Sequence, residues 1–130
     1  MKHKYYIFHK PFGVLSQFTD EGGNPGLGQF LNLPDDVYPV GRLDKDSEGL
    51  LFLTNNNGLK HRLLSPEFGH TREYWVQVDG EISDEAIAEL EKPMPINYKG
   101  QIHITKPSNA KRIFPDVPER NPPVRFRKNI

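Results

Sequence analysis

Gly41-Arg-Leu-Asp-Lys-Asp-Ser-Glu-Gly-Leu-Leu-Phe-Leu-Thr-Asn55 is the stretch on which the reading of this chain turns. Its first half packs Arg42, Asp44, Asp46 and Glu48 between two glycines, and its second half, Leu50–Thr54, is a continuous apolar run of strand length. Such a run predicts a strand buried on both faces. Charges set beside a core element either line a site or pair with one another. The plain structural reading is therefore a salt-bridged turn in which Arg42 holds Asp44 or Asp46. Asp44, Asp46 and Glu48 followed by Gly49 also match the opening of an EF-hand calcium loop. The bidentate Glu that should close such a loop is Asn55 here, and Tyr38-Pro39 and Leu50–Leu53 stand where the two helices belong. The calcium reading is disfavoured on both counts.

Outward from this segment, short strands and short helices alternate. Lys4–His9 is a β-branched and aromatic run, interrupted by the turn-like Lys10-Pro-Phe-Gly13 and resumed at Val14–Ser16. Thr19–Gly28 holds four Gly and one Pro and reads as loop. Leu27, Phe30, Leu31 and Leu33 fit a short helix stopped by Pro34, and Tyr38–Gly41 is extended. Asn55–Asn57 can cap a helix carrying Leu59, Leu63 and Leu64 that ends at Pro66. Thr71–Asp79 is the clearest strand, with Tyr74, Val76 and Val78 on one face. Ser83-Asp-Glu85 starts a helix with Ile87 and Leu90 as its apolar stripe, and Gly100–Lys106 alternates as a half-buried strand. Strands mixed with helices and no regular βαβ repeat define an α+β class with a mixed, largely antiparallel sheet.

Composition narrows the function classes. The 130 residues suit one domain. With 35% hydrophobic residues, 12 Pro and 11 Gly the chain is rich in loops, yet eight Phe, five Tyr and one Trp are available for burial. No apolar run approaches the ~20 residues of a membrane span, and Tyr5–Phe8 is too short for a signal peptide. The chain has no Cys, which excludes disulfides, thiolate zinc sites and Cys nucleophiles. His9, His61 and His70 form no metal-ligand spacing. A soluble cytoplasmic protein with no metal and no cofactor is the expectation. The formal net charge of zero conceals an asymmetry: residues 1–98 hold nine Lys/Arg against 15 Asp/Glu, and residues 99–130 hold eight against two. Seven of the 12 prolines fall after residue 92. Residues 107–130 thus read as a basic, Pro-rich connector able to attract phosphates or, in the blander reading, to stay solvated. Val124–Ile130 resembles the approach to a further strand, so a fragment of a larger domain is expected.

Three segments in order carry a family resemblance: Lys10-Pro-Phe-Gly-Val-Leu-Ser16, Pro39–Asn55 and Arg72-Glu-Tyr-Trp-Val76. Together they resemble the RsuA-type family of ribosomal RNA pseudouridine synthases, which isomerise uridine within RNA. Within that family the chain resembles the E-type synthases of the large ribosomal subunit, which lack an S4 RNA-binding module; no S4-like basic module precedes Lys4. The likeness runs on through Asn121-Pro-Pro-Val-Arg-Phe-Arg-Lys128 and so spans nearly the whole chain.

The resemblance implies a pseudouridine synthase fold and roles for particular residues. Asp44 is the catalytic carboxylate, Arg42 displaces or replaces the target base, and Tyr74 stacks on the flipped uracil. By its own pattern Tyr74 reads as a core aromatic; only the motif context argues otherwise. Lys10 and its turn support the sheet near the site. The chemistry requires neither metal nor nucleotide cofactor, and the partner is ribosomal RNA, with 23S RNA the expected target. The family's later Glu-Gly-x-Asn-Arg-Gln pattern is absent, so 1–130 corresponds to the N-terminal portion of the catalytic domain. A missing C-terminal segment is then a partner, without which the chain alone is inactive. Two other readings stand beside this one. One is a non-catalytic RNA binder using residues 99–128. The other is a glycoside hydrolase pairing Asp44 with Glu48, a remote reading because nothing else resembles a sugar cleft.

Overall fold

The computed structural model describes residues 2–78 and 80–116. The chain divides into two compact units, Met1–Glu73 and Tyr74–Ile130.

In the first unit β1 (Tyr5–Lys10), β2 (Tyr38–Pro39) and β3 (Gly49–Thr54) form an antiparallel sheet in the order β1-β3-β2. Alternation along β1 turns Tyr6, Phe8 and Lys10 inward and leaves Tyr5, Ile7 and His9 exposed. Its register sets Tyr6 opposite Leu53 and Phe8 opposite Leu51, so apolar cross-strand pairs collect on one face. Val14, Leu27, Val37, Leu51 and Leu53 make the core there, with Phe18, Leu31, Leu33 and Leu43 packed against it. β3 is not buried on both faces, as its unbroken apolar run suggested. Leu53 is 0% exposed but Leu50 is 72% exposed. Antiparallel pairing lets one face of a sheet remain open, whereas the two-sided reading assumed a parallel setting. Pro39, which cannot donate to a ladder, sits in an edge strand.

Hydrogen bonds across about fifty residues of sequence close this unit. The Asn55 side chain accepts from the Lys4 N–H at 2.8 Å and donates to the Lys2 carbonyl at 3.1 Å and to Asp36 at 2.8 Å. That last bond holds the Asp36 carboxyl below the usual carboxylate value. Thr54 Oγ1 donates to the Lys4 carbonyl at 2.6 Å. Helix α1 (Asn57–Leu64) follows with Asn56 as its N-cap, the side chain accepting from Leu59 N–H. The helix expected over Leu27–Leu33 is a single 3-10 turn, Leu27–Gln29. Its first two donors, the Leu27 and Gly28 N–H groups, which no helix satisfies internally, are taken up by the carbonyls of Gln17 and Phe18.

The second unit holds α2 (Asp84–Leu90), capped by Ser83 as expected, and a hairpin of β4 (Pro95–Tyr98) with β5 (Gln101–Ile104). Lys99 and Gly100 both have positive φ, 52° and 78°, which is the geometry of a two-residue hairpin turn. β4 has no counterpart in the sequence reading, and all four residues of β5 are exposed rather than half-buried. Residues 71–78 belong to none of the paired strands among the described residues, contrary to expectation. Alternation alone does not make a strand, because a ladder partner must take up its N–H and C=O groups. The antiparallel sheets together with two helices bear out the α+β class. Residues 107–116 carry no regular structure, and the remainder of the expected connector lies outside the described residues.

Candidate active site

Asp44 lies in the loop between β2 and β3, with its side chain exposed. Its carbonyl accepts the Ser47 N–H at 3.0 Å, closing a turn. Both neighbours are held by the segment that follows β1. The Leu43 N–H donates to Ser16 Oγ at 3.0 Å, and Ser16 Oγ–H donates to the Leu43 carbonyl at 3.0 Å. The Lys45 carbonyl accepts the Gly13 N–H at 2.8 Å and Lys10 Nζ at 3.3 Å. The backbone on either side of the carboxylate is thus fixed while the carboxylate faces solvent.

Lys10 is the unusual member of this arrangement. Its side chain is 0% exposed, and Nζ donates to the carbonyls of Pro11 and Val14, each at 2.8 Å, besides Lys45. A lysine ammonium has three protons, and here each has an acceptor. Burial pulls the ammonium below the ordinary lysine value, and the carboxylates of Asp46, Glu48 and Asp44 counter that pull. The acidic loop therefore supplies the counter-charge for a cation buried behind it. Sequence reading gave Lys10 a supporting role and placed Ser16 in a family segment without a role of its own. The signal for Lys10 was present: it continues the inward alternation of Tyr6 and Phe8. The partners of Ser16 lie 27 residues away and leave no local trace.

Arg42 forms no ion pair with Asp44 or Asp46 among the described residues, so the salt-bridged turn is set aside. It instead lines an open cleft of about 490 Å³ together with Lys60, Tyr38 and Phe18. Asp44 is not among the residues lining that cleft. Tyr74 belongs to the second unit and is 63% exposed, which corrects its reading as a core aromatic. Asp44 and Arg42 thus share one loop of the first unit, and Tyr74 opens the second. Among the described residues no group of three His, Asp or Glu side chains is placed to hold a metal ion, and no helix is long and apolar enough to cross a membrane.

Comparison with known proteins defines the class. The family described as RNA pseudouridylate synthase matches residues 4–124, and this chain belongs to that family. Within it, the chain is 43% identical over 128 residues to the ribosomal large subunit pseudouridine synthase E of Vibrio parahaemolyticus, covering 98% of this chain and 52% of the relative. It is 42% identical over 128 residues to the protein of the same name from Xanthomonas axonopodis pv. citri, covering 95% of this chain and 65% of that one. The dual-specificity RNA pseudouridine synthase RluF of Escherichia coli O157:H7 is 42% identical over 88 residues, 68% of this chain and 30% of that protein. The chain thus spans about half the length of the Vibrio relative. A crystal structure of a pseudouridylate synthase superposes with a TM-score of 0.62 at 23% identity, over 83% of this chain and 46% of the other, a likeness of fold.

Proposed function

We propose that this protein converts uridine to pseudouridine in ribosomal RNA, in the cytoplasm, with Asp44 as the catalytic carboxylate. The observation that carries the reading is the backbone clamp on both sides of Asp44, formed by Ser16 on Leu43 and by Lys10 and Gly13 on Lys45. A reacting carboxylate must be held in place before substrate arrives, and a loop pinned at both neighbours does so. Membership in the pseudouridylate synthase family supplies the reaction class.

The reaction rearranges atoms without changing their number. The carboxylate attacks C1′ or takes a proton from C2′ as the C1′–N1 bond breaks. The freed uracil turns and forms a C1′–C5 bond, after which C5 gives up its proton and N1 carries one. No electrons are gained or lost overall, so no redox partner is required. A paired base must first leave its helix, at a cost of a few kcal/mol. Arg42 fills the space the base vacates, and Tyr74 stacks on the extruded uracil, an interaction worth about 1–3 kcal/mol.

Loss of the C5 proton gives the assay. Because the chain spans about half of the Vibrio relative and alone is expected to be inactive, ribosomal RNA labelled with tritium at uridine C5 is incubated with the chain joined to the C-terminal segment its resemblance implies, and release of label to water is followed alongside RNA binding. Release at a discrete site is expected. Binding without release would establish the non-catalytic RNA binder in its place.

A further inference from the structure

The cleft beside Arg42 is lined by residues the sequence reading did not single out. Lys60 and Leu64 lie one turn apart on α1 and line it from the helix; Tyr38 lines it from β2, and Phe18 from the segment after β1. Its volume of about 490 Å³ lies within the range of small-molecule sites, roughly 300–1,000 Å³, and accommodates one nucleotide. Its charge is one-sided. Residues 1–73 hold nine Asp/Glu against eight Lys/Arg, yet Arg42 and Lys60 line the cleft and no carboxylate does. Tyr38 is half-exposed and offers an aromatic ring.

The walls are built rather than incidental. The carbonyls of Gln17 and Phe18 accept the N–H groups of Leu27 and Gly28 at 2.6 and 3.0 Å. Asp20 accepts from the Gly26 N–H at 2.8 Å and from Gln29 Nε2 at 2.7 Å. A Cβ on Gly28 would stand 2.6 Å from the Phe18 carbonyl, and one on Gly26 would meet the Thr19 carbonyl. This close packing keeps the wall in place before any ligand arrives. On the opposite side Gly41, at φ 78°, has no side chain to crowd Leu64, whose Cδ2 would lie 3.2 Å from such a Cβ.

We propose that this cleft is the subsite for the RNA nucleotide adjoining the target uridine, with Lys60 set against its phosphate and Tyr38 stacked on its base. Arg42 forms the shared border, because it lines the cleft and stands two residues before Asp44. A cation next to an aromatic ring is the pairing by which proteins take hold of a single-stranded nucleotide, the cation tracking the backbone and the ring accepting any base. The place of the subsite beside a target uridine rests on the isomerase reading; nucleotide binding in the cleft does not.

The test measures affinity of wild type, Lys60→Gln, Lys60→Arg, Tyr38→Ala and Tyr38→Phe for a uridine-containing single-stranded RNA over a range of salt, with tritium release recorded on the same variants joined to the C-terminal segment. Lys60→Gln is expected to weaken binding and to reduce the slope of log affinity against log salt by about 0.7, with Lys60→Arg restoring both. Tyr38→Ala is expected to weaken binding about five-fold or more, and Tyr38→Phe to retain it. The two conservative variants separate loss of contact from loss of fold. Unchanged affinity in Lys60→Gln and Tyr38→Ala overturns the subsite even where tritium release stands. Weakened affinity with no tritium release, measured on the chain joined to its C-terminal segment, keeps a single-stranded RNA site in the cleft and overturns its place beside a target uridine.

Discussion

Asp44, the residue assigned the chemistry, does not hold itself in place; Lys10, Ser16 and Gly13 do that from a segment about thirty residues earlier. Lys10 is the most exposed to test. Burying an ammonium costs several kcal/mol unless it is fully hydrogen-bonded, and its three carbonyl partners offset that cost. Lys10→Met strips those carbonyls of their donor, and the expected destabilisation is at least about 2 kcal/mol by urea unfolding. The pH dependence has a definite sign. Lys10 is held below 10.5 in the folded protein, so between its lowered value and 10.5 the unfolded chain binds the proton more readily. Across that alkaline window stability therefore rises with pH in the wild type relative to Lys10→Met. A relative fall would contradict the assigned burial. The Gly41–Asn55 motif was legible in sequence because its residues are contiguous; the clamp behind it was not, because it joins residues 27 to 35 apart.

Among the elements, the helix caps and the strands β1, β3 and β5 were legible in the sequence, whereas the burial of β3 and β5 was not. Asn56 and Ser83 cap α1 and α2 where side chains alone predicted. One-sided burial of β3, by contrast, depends on what covers each face of the sheet, and periodicity carries no such information. Residues 71–78 alternate well and still take no place in the paired strands described, since pairing is a tertiary event. β4 was missed because Pro93 and Pro95 mask a four-residue strand, although Lys99-Gly100 was a hairpin signal. The 3-10 turn at Leu27–Gln29 likewise answers to its neighbours, being threaded against Gln17–Thr19. Gly26→Ala pushes a methyl into the Thr19 carbonyl, and a loss of about 1–3 kcal/mol is expected by urea unfolding. A wild-type midpoint would mean that the wall of the cleft gives way more easily than its hydrogen bonds imply.

At the scale of the whole molecule, the residues proposed to act belong to different compact units: Asp44 and Arg42 to the first, Tyr74 and the basic residues after Lys99 to the second. The basic stretch is partly used in folding, since Arg112 donates to the Ile82 carbonyl at 2.6 Å and pairs with Asp84 at 3.1 Å. Charge counts alone therefore overstate how much of it is free for phosphate. The central claim rests on one carboxylate, and Asp44→Asn tests it most directly, removing the charge while keeping the size and leaving the turn's backbone bond to Ser47 in place. In the chain joined to its C-terminal segment, tritium release from C5-labelled ribosomal RNA should fall by at least about a thousand-fold, or roughly 4 kcal/mol of barrier, with RNA affinity unchanged. Release at the wild-type rate from Asp44→Asn would place the catalytic group elsewhere and contradict the account.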